Sequence, residues 1–211
     1  MKKSIPVFLV LILTLLACTF TPAIGVGESG SVLFQDDFAS SSSGWFTNAY
    51  DSGTLAEYSD GGFRIYVTEE MSDLIAQANQ SFPADVAIDV DAAKQGGVDN
   101  NDMGVICRMQ DLENFYFFLI SSDGFANIGM YKDGAPTYFI RGWEQTDVIA
   151  PGNATNHIRA TCVGSSLTLY ANGIQVAQVT DSTFVSGGDV GLMAGTFDVG
   201  GTDILFDNFV V

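Results

Sequence analysis

The chain has 211 residues, with 25 acidic against 8 basic side chains, one histidine and a formal net charge of −17. So acidic a protein repels nucleic acid, whose binding depends on neutralising phosphates with Lys and Arg, and suits neutral glycans, cationic partners or divalent metals. With a single histidine and few cysteines there is no cluster of the kind a zinc centre needs, and the excess of Asp over Glu favours turns over helices.

At the N-terminus, Lys2 and Lys3 precede an apolar run from Ile5 to Ala17. The run is shorter than the ~20 residues a spanning helix requires and has the form of a secretory signal peptide. Leu15-Leu16-Ala17-Cys18 resembles the lipobox of bacterial lipoproteins. That resemblance implies a signal peptide over 1–17, acylation of Cys18, and a protein exported and held to the cell membrane or outer envelope by lipid alone. Residues 18–30, rich in Gly, Thr and Ser, read as a flexible tether, and 31–211 as one domain.

Within that domain strands alternate with turn chemistry. Ser31–Phe38 predicts a first strand and Gly62–Val67 a second, after the Asp60-Gly61 turn. Met71–Gln80 reads either as a helical turn or as a loop with a strand at Leu74–Ala78. Asp85–Ala92 alternates, with Val86, Ile88 and Val90 on one face and Asp85, Asp89 and Asp91 on the other. Gly104–Arg108 follows as a strand, and Phe115–Ile120 is apolar on both faces, as a central strand must be. Asp123-Gly124, Asp133-Gly134 and Asn172-Gly173 mark hairpins, and Asp203–Val211 closes the chain as a strand. Cys107 and Cys162 both fall in strand-like runs. The exported compartment permits a disulfide between them, while two free buried thiols fit the sequence equally.

Several segments taken together resemble a known family. These are Gly104–Asp111, Asn114–Phe118, Tyr131–Gly134, Asn156–Ala160, Leu169–Gly173, Asp189–Leu192 and Phe206–Phe209. Their order is similar to the concanavalin A-like (laminin-G-like) jelly roll of bacterial exported proteins, including domains of the 3-keto-disaccharide hydrolase type. The resemblance implies an all-β, two-sheet antiparallel jelly-roll sandwich, with first and last strands adjacent and a ligand groove on the concave face. It specifies fold far better than function.

Sugar binding calls for an aromatic platform and planar polar groups. The candidates are Tyr116, Phe118, Tyr138 and Trp143, with Arg108, Gln110, Asp89 and Asn114 as polar partners. By alternation Ile106, Arg108 and Gln110 share a face, so Arg108 and Gln110 are expected in the groove, although Arg108 could instead pair with Asp89 or Asp91. Glycoside cleavage needs two carboxyl groups across the scissile bond, and the nearest such pair is Asp89 and Asp91. The sole histidine, His157, has no Gly-x-Ser-x-Gly elbow to serve and reads as a strand-edge hydrogen-bonding residue. A structural calcium is expected at Asp36, Asp37, Asp207 and Asn208 if the terminal strands pair. A second acidic group that suits calcium is the loop Asp99–Asp102, which lacks EF-hand spacing and so is not that motif. These features favour a non-catalytic, lipid-anchored carbohydrate- or surface-binding module whose partner is a polysaccharide or glycoconjugate. A glycoside hydrolase of the 3-keto-disaccharide hydrolase or glucanase type, using Asp89 and Asp91, is the alternative. A structural or protein-adhesion domain, with Tyr116 and Phe118 buried, is the second.

Overall fold

Alternating apolar and polar residues put one face of a strand in the core and the other in water, and most of this chain follows that rule. The structure, a computed structural model, describes residues 30–211; the signal peptide, Cys18 and all but the last residue of the tether lie outside the described residues. In chain order the strands are β1 (Gln35–Asp36), β2 (Asn48–Ala49), β3 (Leu55–Ser59), β4 (Gly62–Val67), β5 (Asp73–Gln77) and β6 (Val86–Gly96). There follow β7 (Asn101–Asp111), β8 (Asn114–Ile120), β9 (Phe125–Lys132), β10 (Ala135–Tyr138) and β11 (Glu144–Gln145). Last come β12 (Thr155–Val163), β13 (Ser166–Ala171), β14 (Ile174–Thr180), β15 (Asp189–Thr196) and β16 (Thr202–Val210). Among the described residues the one helical element is a single 3-10 turn, Ser41–Ser43.

The strands form two antiparallel sheets, a jelly-roll sandwich. The larger has the order β14-β13-β12-β6-β16-β4-β3-β2, with β1 added beside β16; the smaller runs β10-β9-β8-β7-β15-β5, with β11 beside β9. First and last strands are neighbours, Gln35 opposite Val210, as the family resemblance implies. The predicted first strand is cut to its two central residues, although Leu33 still donates to the Val211 carbonyl. The ambiguous segment after Met71 is strand β5, because Leu74 and Ala76 take core positions at strand spacing. Asp60-Gly61, Asp133-Gly134 and Asn172-Gly173 all adopt positive φ at both residues, the backbone of the tight hairpin turn that matches strand twist.

The core lies between the sheets. Ile88, Val90, Ile158, Leu169, Ile204 and Phe206 from the larger sheet meet Leu74, Val105, Tyr116, Phe118, Ile128 and Leu192 from the smaller. At one corner Phe34, Phe38, Phe63 and Phe209 pack around Trp45, Phe38 and Phe209 edge to face and the other two tilted. The Trp45 indole N–H donates to Asp36 at 2.9 Å, so its polar edge is satisfied as its ring is buried. Cys107 of β7 and Cys162 of β12 are disulfide-bonded, fastening one sheet to the other over a sequence separation of 55. Closing a loop of that length stabilises by about 4 kcal/mol in the chain-entropy model. Reduction under native conditions, or replacement of both cysteines by serine, is therefore expected to lower the melting temperature by roughly 10 °C without changing the far-ultraviolet circular dichroism at 25 °C; an unchanged melt would show that the bridge carries no such load.

Candidate functional site

The two sheets differ in what covers their outer faces. On the larger sheet β6 and β12 alternate buried and accessible residues, so that face meets solvent. On the smaller sheet β7, β8 and β15 are buried on both faces. A second apolar cluster explains this: Ile106, Met109, Phe115, Phe117, Leu119 and Met193 pack together on its outer face, against Ile75, Tyr131 and Trp143. The sheet covers itself by curling. The Tyr131 hydroxyl on β9 donates to Asp73 on β5 at 2.8 Å, although β8, β7 and β15 lie between them. In a flat sheet those strands would be ~19 Å apart at ~4.8 Å per spacing, beyond the reach of any tyrosine. The outer face of the smaller sheet is thus deeply concave and filled by its own aromatic side chains. Phe115 stacks on Tyr131, Phe117 meets Tyr131 and Tyr138, and Tyr138 lies against Trp143, which meets Phe197.

Beneath this aromatic layer two carboxyl groups face each other. Asp73 of β5 and Asp102 of β7 both lie in register with Gly195 of β15 between them. A Cβ at Gly195 would sit 2.1 Å from Asp73 Oδ1 and 2.7 Å from Asp102 Oδ1. The nearest oxygens are therefore no farther apart than those two distances laid end to end, and only glycine leaves room for them. Asp102 is 1 % exposed, and its Oδ1 has no hydrogen-bond partner. Burial, then the neighbouring charge of Asp73, pushes the Asp102 carboxyl well above the usual range. Burial raises Asp73 too, against the opposing hydrogen bond from Tyr131. The Tyr138 hydroxyl is pushed up to about 12 by burial and then by the charges of Asp102 and Asp73. Sequence spacing does not pair Asp73 with Asp102, although Asp102 belongs to the acidic Asp99–Asp102 segment, because the pair is made by register across three strands.

At one end of the same face, where the loops before β5 and β7 and after β8 and β15 converge, lies an open cavity of about 370 Å³. Trp143 and Phe197 form its wall, ring centroids 5.8 Å apart at 82°. Phe125 and the exposed Met71 add apolar surface, and Asn100, Ser121, Asp123 and Asp198 supply polar groups. That size and mixture is typical of a small-ligand site. Asp73 and Asp102 are not among its lining residues.

Of the sequence-predicted ligand residues, Trp143 lines this cavity and Tyr138 packs beside it. The others lie elsewhere. Tyr116 and Phe118 point into the core between the sheets, the opposite face from Phe115 and Phe117. Arg108 is not in the groove, because a bulge in β7 between Cys107 and Asp111, with Arg108 at φ 51°, breaks the expected alternation. Its buried guanidinium instead clamps the Ala84 and Phe184 carbonyls and the Asp85 carboxylate. Gln110 bonds the Arg108 and Gly187 carbonyls, and Asn114 bonds Asp111 and the Asp133 N–H within a turn.

Asp89 and Asp91 stand on the solvent face of the larger sheet, remote from the concave face. His157 lies between them, Nδ1 2.8 Å from Asp91 and Nε2 3.1 Å from Asp89, and Arg159 pairs with Asp89 at 2.6 Å. These are cross-strand neighbours, His157 opposite Asp91 and Arg159 opposite Asp89, so the carboxylates serve a surface ion ladder. Partial burial works against a charged His157, but its hydrogen bonds to Asp91 and Asp89 outweigh that and raise its pKa.

The residues expected to hold calcium border a second cavity lined by Asp36, Asp37 and Asn208. Their side chains take part in local hydrogen bonds. Asp36 accepts from the Phe38 N–H and Trp45, Asp37 from the Ala39 N–H, and Asp207 from the Asn208 N–H, while the Asn208 amide turns to Asp91. Among the described residues no group of three or more acidic, His or Cys side chains is placed to hold a metal ion.

No family model matches the chain, and no curated protein matches it in sequence. Solved structures do match in fold. A carbohydrate binding module, CBM66 from Bacillus subtilis, superimposes with a TM-score of 0.62 at 18% identity over 79% of this chain and 94% of its own. A Bacillus subtilis protein of unknown function with a galectin-like fold gives 0.63 at 10% identity over 86% and 95%. The Bacillus licheniformis β-glucanase gives 0.59 at 10% identity over 87% and 98%. The fold is that of the concanavalin A-like jelly rolls.

Two titrations separate the acidic features. Asp102 has a folded-state pKa above its unfolded ~3.9, so its contribution is fully favourable below that pH and is lost as pH rises through the folded value. Asp102→Asn should raise the melting temperature near pH 8 while leaving it almost unchanged near pH 4; equal effects at both would contradict a buried neutral acid. His157 is likewise raised, so its ion ladder contributes below about pH 6.5 and fades as pH climbs through the folded value. His157→Gln should flatten that part of the stability profile, read as melts between pH 5.5 and 8.5, and a profile that keeps its slope would assign it to other groups.

Proposed function

We propose that this domain binds carbohydrate noncovalently in the cavity walled by Trp143 and Phe197. One observation carries the reading: two partly exposed aromatic rings border a ligand-sized cavity whose other groups, Asn100, Ser121, Asp123 and Asp198, are hydroxyl-bonding. Aromatic faces cover the apolar face of a pyranose, and planar amides and carboxylates take its hydroxyls. Similarity in fold to a protein named as a carbohydrate binding module and to a β-glucanase supports the same ligand class. Cleavage has less support. Asp89 and Asp91 are tied to His157 and Arg159 on the far sheet, and Asp73 and Asp102, the closer pair, lie outside the cavity lining, whereas hydrolysis needs both carboxyl groups against the sugar. The burial of Tyr116 and Phe118, which an adhesion domain would share, does not weigh against a binding site formed by other rings. The reading includes export and a lipid anchor at Cys18, which would place the module at the cell surface.

Titration of the full chain against a panel of neutral, amino and acidic oligosaccharides tests it. Saturable binding to one class is expected, with Trp143→Ala weakening it about tenfold or more, the size of a lost stacking contact with its buried area. Melting curves of the variant establish that it is folded. Absence of binding across the panel would overturn the proposal.

A further inference from the structure

The charge of the cavity restricts its ligand further than the aromatic wall does. Among the described residues its charged lining groups are Asp123 and Asp198, both exposed, with no Lys, Arg or His beside them in the lining. One Asp123 oxygen accepts from the Ser121 hydroxyl, which fixes the carboxylate toward the loop and leaves its other oxygen as an acceptor. The carboxylates stand beside Trp143 and Phe197, whose ring faces attract cations. The whole chain adds a field of the same sign, at −17. A ligand bearing a carboxylate or sulfate meets repulsion from every charged group of the site. A neutral sugar finds acceptors but gains nothing from the charge. A protonated amine satisfies both carboxylates and both rings.

We propose, on the basis of the carbohydrate-binding reading, that the sugar unit held in this cavity carries a free amine, as in an unacetylated hexosamine. The ammonium group lies between Asp123 and Asp198 and against the Trp143–Phe197 wall, and the pyranose ring packs on the remaining aromatic surface. Acetylation of the amine removes the charge and adds bulk in its place.

The experiment compares a glucosamine tetrasaccharide with its fully N-acetylated counterpart, using the full chain at low and at moderate salt, pH 6. The glucosamine oligomer is expected to bind about tenfold tighter, the combined size of two exposed ion pairs and a cation–aromatic contact, and the advantage should shrink as salt rises. Asp198→Asn and Asp123→Asn should each narrow the preference without abolishing binding of the acetylated oligomer, whereas Trp143→Ala should weaken both. Equal binding of the two oligomers, or tighter binding of the acetylated one, overturns the amine while leaving carbohydrate binding in place. Binding of a uronic acid oligomer overturns it too. Failure of every oligosaccharide in the neutral, amino and acidic panel overturns the binding reading itself and this inference with it.

Discussion

The hydroxyl of Tyr131 bonded to Asp73 ties together strands with three others between them, and the concave side of the molecule takes its form from that closure. A sheet of the sandwich has one face covered by its partner; the other must be polar or must find cover of its own. Here β7, β8 and β15 carry apolar residues on both faces, and curling brings Ile75, Tyr131 and Trp143 over them. The same curl sweeps two carboxyl groups under cover, where only the absence of a side chain at Gly195 lets them meet. Its cost falls on Asp102, whose unpaired, desolvated oxygen is a local loss set against the burial of six apolar side chains. What the curl does not close, at the loop end, is the cavity.

Much of the architecture was legible in the sequence. The turn dipeptides, the alternation in β6 and the two-faced apolar run in β8 each carry a local signal, and the structure follows them. Arg108 shows where local reasoning ends: alternation places it with Ile106 on one face, but the bulge between Cys107 and Asp111 turns its side chain inward, and no pattern along one strand announces a bulge set by its partners. Tyr116 and Phe118 failed as ligand candidates for a related reason. A strand apolar on both faces does not say which face is the core, and the odd-numbered rings, Phe115 and Phe117, took the concave side.

The Asp73–Asp102 pair was invisible for a different reason, being a contact across three strands. A signal was nevertheless present. Glycine inside a strand marks close approach by something else, and Gly195 follows the apolar Leu192-Met193-Ala194 within β15. Likewise Gly129, where the Phe117 ring would be 2.3 Å from a Cβ, marks the aromatic layer folding over its neighbour. The cavity itself draws on five separate loops, none with a ligand-binding motif, and of its lining only Trp143 was a ligand candidate from sequence.

The pairing of β1 with the end of β16 fixes a direction. β16 starts at Thr202, just after the Phe197–Asp198 loop that borders the cavity, and finishes at Val210 beside Gln35. Its nine residues at ~3.4 Å each place roughly 30 Å of rigid sheet between the loop end and the point where the chain enters the domain. The cavity and the entry of the chain therefore stand at opposite ends of that strand. A surface reached through its entry strand and a ligand reached through its cavity lie in opposite directions, so a long polymer could lie across the outward end without meeting whatever holds the inward one.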